Sequence, residues 1–139
     1  MNLTLQALLF TLASIGISET AYLIRVRRAA TQPVCPIGQD CSKVLTSRYN
    51  RLFGVVHNDV LGFLFYGAFA VLTAFMVLGV GNLLLWELTA LVLLAGATVA
   101  STVFTYLQAR VIRAWCFWCV MSAATVALMD AVIIAARLS

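Results

Sequence analysis

Four long apolar runs constrain this chain more than any other feature. They fall at about residues 3–24, 60–80, 83–105 and 117–136, and each matches the ~20 residues a helix needs to cross the hydrocarbon core of a bilayer. Backbone amides inside a bilayer have no water to bond, so each run must satisfy its hydrogen bonds internally, as a helix. The expectation is an all-α integral membrane protein, a bundle of four transmembrane helices forming one domain over residues 1–139. Composition agrees: 63% of the residues are hydrophobic and only 10% charged, too little charge for the surface of a soluble domain. The first run is expected to remain as a helix and not to be cleaved. It is too long for a signal peptide, no basic residue precedes it, and no small-residue cleavage site with a soluble body follows. Internal repeats, low-complexity tracts and linkers are not evident.

The second and third runs are nearly contiguous, broken only by Gly79-Val80-Gly81-Asn82. Two glycines and an asparagine suit a tight turn between antiparallel helices. The third helix is expected to reach toward Gln108, before Arg110 and Arg113. Residues 25–58 form the only sizeable polar loop, with Pro33, Pro36, Gly38 and Gly54. Within it, Cys41 to Tyr49 fits a short helix, with polar Ser42, Lys43, Ser47 and Arg48 beside Val44 and Leu45. Phe53-Gly54-Val55-Val56 is apolar enough to dip back toward the bilayer.

Four spanning helices place both termini on one side and the loop 25–58 and the turn 106–116 together on the other. All four cysteines, Cys35, Cys41, Cys116 and Cys119, belong to that second side. A single membrane cysteine is most simply a small buried hydrophobe. Two pairs on one side, one of them the Cys116-Phe117-Trp118-Cys119 opening a helix, are not explained that way. Two cysteine pairs also suggest zinc, but only His57 stands near either pair, and an apolar membrane mouth is a poor place for a charged metal; no metal is expected. A structural disulfide across Cys-x-x-Cys adds almost no constraint beyond the helix itself. That spacing points to redox chemistry.

Thiol–disulfide exchange needs a thiolate attacker and a reachable disulfide, and a helix start favours the thiolate through its unpaired N–H groups and dipole. With the fourth helix starting near Trp115, Cys116 faces the loop. Cys119 lies one turn deeper, toward the hydrocarbon, where an apolar electron carrier such as a quinone would dock. Phe117 and Trp118 are candidates for the wall of that pocket, although aromatic residues are common at membrane interfaces in any case. Pro33, Pro36 and Gly38 suit a shuttle segment, with Cys35 placed to meet an external dithiol and Cys41 to meet Cys116. The expected path runs from a partner dithiol to Cys35–Cys41, from Cys41 to Cys116, and from Cys119 to the quinone.

These features together resemble the vitamin K epoxide reductase family. The resemblance rests on Cys35-x5-Cys41, the following Ser42-Lys43-Val44-Leu45-Thr46-Ser47-Arg48-Tyr49, Phe53-Gly54 and the late Cys116-x-x-Cys119. In the four-helix bacterial oxidases of the disulfide-bond pathway, the Cys-x-x-Cys instead lies in the first loop. The resemblance covers nearly the whole chain. It implies that Cys116 and Cys119 are the active-site pair, with Cys119 proximal to the quinone, and that Cys35 and Cys41 are the shuttle pair. It places Ser47 near the active site and aligns Asn58 with the asparagine that bonds a quinone carbonyl in vertebrate members. An amide N–H is a sensible partner for a carbonyl in an apolar pocket, and Asn58 equally suits the N-cap of the second helix. Where vertebrate members carry a tyrosine four residues past the last cysteine, this chain has Ala123. Quinone reduction coupled to thiol oxidation is therefore expected in preference to epoxide reduction. A stand-alone member without the fused thioredoxin-like domain of some bacterial relatives is expected, which implies a separate thioredoxin-fold partner; no nucleic-acid partner is expected.

The resemblance implies cysteines facing the periplasm, lumen or exterior. The positive-inside rule implies the reverse. Arg25, Arg27, Arg28, Lys43, Arg48, Arg51, Arg110 and Arg113 fall on the cysteine side and only Arg137 on the other, eight against one of the nine Lys and Arg. The sequence reading is an inverted member whose cysteines face the cytoplasm and make disulfides there, as in hyperthermophile cytosols. Glu19, Glu87 and Asp130 are expected to reach the interface from near helix ends, Glu19 toward a basic residue of the loop. His57 is expected to be an ordinary interfacial histidine, with a proton route as the sharper alternative. The rival classes are a non-catalytic membrane scaffold with structural disulfides and a transporter or metal-site protein.

Overall fold

The computed structural model describes residues 3–29, 51–52, 56–112 and 117–138. Helix α1 spans Leu3–Arg28. A two-strand ribbon, β1 (Arg51–Leu52) against β2 (Val56–His57), is antiparallel, with Arg51 opposite His57 and Leu52 opposite Val56. It leads directly into α2, Asn58–Leu78. Helix α3 covers Leu83–Tyr106 and continues as a π-helical turn over Leu107–Ile112. Helix α4 covers Phe117–Leu138. All four helices are long and apolar enough to cross a membrane, and the protein is a multi-pass membrane bundle.

The expected spans hold with shifts at their ends. Helix α1 runs four residues further, carrying Arg25 and Arg28 on its last turn. Helix α2 starts two residues earlier, at Asn58. Of the apolar Phe53–Val56 stretch, Val56 is paired in the ribbon, and residues 53–55 lie outside the described residues. The expected short helix over 41–49 lies outside the described residues.

The α2–α3 turn works as its residues predict. Gly79 and Gly81 take φ of 71° and 74°, the left-handed region that favours glycine. Asn82 then caps α3, its Oδ1 accepting from the backbone N–H of Leu84 at 3.0 Å and Leu85 at 3.4 Å. The Trp86 indole N–H donates to the Val80 carbonyl at 2.7 Å and its ring packs on Phe75.

Lipid is as apolar as leucine, so helices in a bilayer associate through close packing and polar links. Both are present. Gly16 on α1 lets the Tyr66 ring of α2 lie against the α1 backbone, where a methyl group at Gly16 would overlap the ring. Leu9 and Ala13 of α1, Phe69 and Met76 of α2, and Val126, Met129 and Ile133 of α4 complete the core. Three polar links tie α4 to its neighbours: Tyr66 to Ser122, Thr125 to Glu19, and Thr98 to Asp130. Helix α3 contributes only Ala90 and Leu94 to the buried core. Leu84, Leu88, Val99 and Val103 on it are exposed, an apolar face suited to lipid. Its loose seating leaves space between it and the other three helices.

Candidate functional site

That space is a cavity of about 450 Å³ with walls from all four helices. Helix α4 supplies Cys119, Ser122, Ala123 and Val126, spaced i, i+3, i+4, i+7 and therefore on one face. Helix α2 supplies Asp59, Gly62 and Tyr66 among others, again one face. Helix α1 adds Thr20 and Leu23, and α3 adds Val92, Gly96, Ala100 and Phe104. Gly96 has nothing within 4 Å of where a side chain would begin. Val92 is 71% exposed while lining the cavity, so the hollow opens between helices toward the bilayer.

Cys119 is the third residue of α4, and its surroundings are well fixed. Trp118 packs on Tyr22 of α1 with ring centroids 4.6 Å apart, and Phe117 stands edge-on to Trp118 at 5.4 Å. These aromatics pin the start of α4 and, though candidates for the pocket wall, are not among the residues that line the cavity. The aromatic walls are instead Phe65, Tyr66 and Phe104. The Tyr66 hydroxyl lies 2.9 Å from the Ser122 carbonyl and 2.8 Å from the Ser122 hydroxyl, which holds the phenol ring one turn from Cys119.

Of the residues singled out from sequence, Cys119 lines the cavity. Asn58 is the first residue of α2, next to Asp59 on the cavity wall. Asp59 is buried, and its Oδ1 accepts from the Val60 N–H at 2.8 Å. Cys35, Cys41, Cys116 and Ser47 lie outside the described residues. Sequence reading passed over Asp59, Tyr66 and Ser122. Ser122 had a legible signal, standing three residues beyond Cys119. Tyr66 had a weaker one, a phenol inside an apolar run that needs a partner for its hydroxyl.

Two carboxyls within the helices have hydroxyl partners on a neighbouring helix. Glu19 is buried nine residues before the end of α1 and accepts from the Thr125 hydroxyl at 3.2 Å; the basic loop residues Lys43 and Arg48 lie outside the described residues. Asp130 lies eight residues before the end of α4, with Thr98 against it. Thr125 and Thr98 each also bond the carbonyl four residues back, the usual way a hydroxyl is satisfied in a membrane helix.

The chemical character of the site is therefore a thiol at the edge of a largely apolar, aromatic-walled hollow, with a few hydroxyls and one carboxyl on its wall. No curated protein sequence matches the chain. The vitamin K epoxide reductase family matches residues 7–134, from the first helix through the last and across both cysteine pairs. With four membrane-spanning helices and Cys119 opening the last of them onto the cavity, the chain belongs to the vitamin K epoxide reductase family.

Proposed function

We propose that the chain is a thiol:quinone oxidoreductase that reduces a membrane quinone while generating disulfides. A thioredoxin-fold partner donates electrons at Cys35–Cys41, Cys41 passes them to Cys116, and Cys119 delivers them at the cavity. The observation that carries this reading is Cys119 on the wall of an apolar cavity within the bilayer. Family membership implies membrane thiol–disulfide oxidoreductase chemistry with a quinone. The cavity suits a quinone ring: its volume falls in the usual range for small-molecule sites, with apolar walls and few polar groups.

A quinone held there would supply a two-electron, two-proton acceptor. The chain does the rest. The Cys41 thiolate attacks Cys116 of a Cys116–Cys119 disulfide, and Cys119 leaves as a thiolate facing the cavity. The Cys35 thiolate then displaces Cys116 from Cys41. This closes the loop disulfide and leaves both active-site thiols reduced. Phe65 and Phe104 on the cavity wall would contact a bound ring, with Tyr66, held by Ser122, beside them. Asn58 is assigned to a quinone carbonyl and Ser47 to support of the active site.

Cys35→Ser tests the order of the relay. Oxidation of a thioredoxin-fold donor should fall at least ~10-fold, while quinone reduction driven by dithiothreitol, which can reach Cys116–Cys119 directly, stays within about twofold. Equal losses with both donors would contradict a shuttle at Cys35.

The arginines support a cytoplasmic cysteine face. Arg25 and Arg28 on the last turn of α1 and Arg110 beyond α3 are exposed at the cysteine end, with Arg137 alone at the other. An alkaline phosphatase fused after Ser139 should then be active outside the cell. A fusion that is inactive, with its C-terminus mapped to the cytoplasm, would overturn this orientation and leave the chemistry untouched.

A further inference from the structure

The cavity does not end at Val126. Ser101, Thr105, Ala123 and Val126 also line a second hollow of about 280 Å³ between α3 and α4, so the two adjoin. Beyond the shared residues its walls are Thr98, Thr102, Ala127 and Asp130. Thr98, Ser101, Thr102 and Thr105 stand at i, i+3, i+4 and i+7 on α3, which makes a ladder of hydroxyls on the side turned to α4. Asp130 closes the ladder. It lies thirteen residues past Phe117 and eight before Leu138, roughly 20 Å and 12 Å along the helix at 1.5 Å per residue. It is thus deep in the bilayer and nearer the membrane face opposite the cysteines.

A carboxyl at such a depth is unfavourable without a function. The Asp130 oxygens lie 3.0 and 2.8 Å from the Thr98 hydroxyl, which also lies 2.8 Å from the Leu94 carbonyl. A hydroxyl has one proton and can both give and accept. Rotation about its C–O bond lets Thr98 take a proton from the carboxyl and turn toward the next rung. Successive rungs are about 5–6 Å apart, a gap that one water bridges. Other titratable or charged groups on the described helices are Cys119, Asp59 and Tyr66 on the adjoining cavity, Glu19 against Thr125, Glu87 three turns before Thr98, Tyr106 and Arg110 at the far end of the ladder, Tyr22, Arg25 and Arg28 on α1, and Arg137 two turns past Asp130.

We propose that Asp130 and Thr98 relay protons to the cavity along the Ser101, Thr102 and Thr105 hydroxyls, drawing them from the membrane face opposite the cysteines. The relay rests on the quinone reading above. Oxidation of two thiols to a disulfide releases two electrons and two protons, and reduction of a quinone to a quinol takes up two of each. The thiol protons leave on the cysteine side, and the quinol protons come through Asp130. Turnover thereby moves two charges across the membrane for each quinol formed.

The test uses the full-length protein in proteoliposomes with dithiothreitol as donor and a short-chain ubiquinone as acceptor. Asp130→Asn should lower kcat at least ~10-fold with KM for the quinone unchanged, and azide or formate, acting as mobile proton carriers, should restore much of the loss. Asp130→Glu should retain most of the activity, and Thr98→Val should lower kcat several-fold with the carboxyl still present. Wild-type kcat in Asp130→Asn, a loss confined to KM, or a loss that small acids do not relieve would overturn the relay. If Asp130→Asn does not fold, an unchanged kcat in Thr98→Val overturns it. Absence of quinone reduction by the wild-type protein would instead sink the underlying reading.

Discussion

Cys119→Ser should abolish dithiol-dependent quinone reduction, with a loss of about 1000-fold or more, while the protein still folds and inserts. Serine cannot form the Cys116–Cys119 disulfide, so the covalent route to the cavity closes, and removal of one member of such a unit costs nearly as much as removal of all. The fold does not depend on the thiol. Residue 119 is only partly buried, and the start of α4 is held by Trp118 on Tyr22 and by Tyr66 on Ser122. A stability change within about 1 kcal/mol is expected for so small a substitution. Thermal stability in detergent together with the quinone absorbance assay checks this. Full turnover in Cys119→Ser would remove Cys119 from the electron path.

Gly96→Phe should have the next largest effect, through the acceptor and not the thiols. Gly96 lines the cavity on α3 and has no neighbour within 4 Å in the direction a side chain would take. A benzyl group there occupies the hollow without displacing a packed side chain, and leaving glycine in a helix interior favours folding by a few tenths of a kcal/mol. Displacing a buried ring-sized contact corresponds to about 2 kcal/mol, or roughly 30-fold in kcat/KM for the quinone. Reduction of the cysteines by dithiothreitol should be unaffected. Gly67→Phe on α2 is the control, since Gly67 also faces open space but is not on the cavity wall. Equal effects of the two substitutions would place quinone binding elsewhere.

Much of the fold was legible in the sequence because the bilayer imposes length and apolarity on each span. The α2–α3 turn was readable from Gly79, Gly81 and Asn82, each of which has one conformational purpose there. Helix ends were less so. Arg25 and Arg28 continue α1 since a helix entering water has no reason to stop at the membrane surface. The cavity itself was not readable. Periodicity identifies an inward face when the outward face is polar, but in these helices both faces are apolar. Nothing along α3 therefore announces that Gly96 stands away from its neighbours. For the same reason the partners of Glu19 and Asp130 were not readable: Thr125 and Thr98 lie 106 and 32 residues away in sequence. Cys119 was legible because cysteine spacing is chemistry and not packing.

The central claim is that electrons from thiols leave through this chain to a quinone. The most direct measurement is the anaerobic stoichiometry of the purified protein with dithiothreitol and a short-chain ubiquinone, following thiols consumed and quinol formed in the same sample. One quinol should appear for every disulfide made, with turnover requiring both Cys116 and Cys119. Disulfide formation that proceeds without quinol, or quinol formation that persists in Cys116→Ser and Cys119→Ser, would contradict the account.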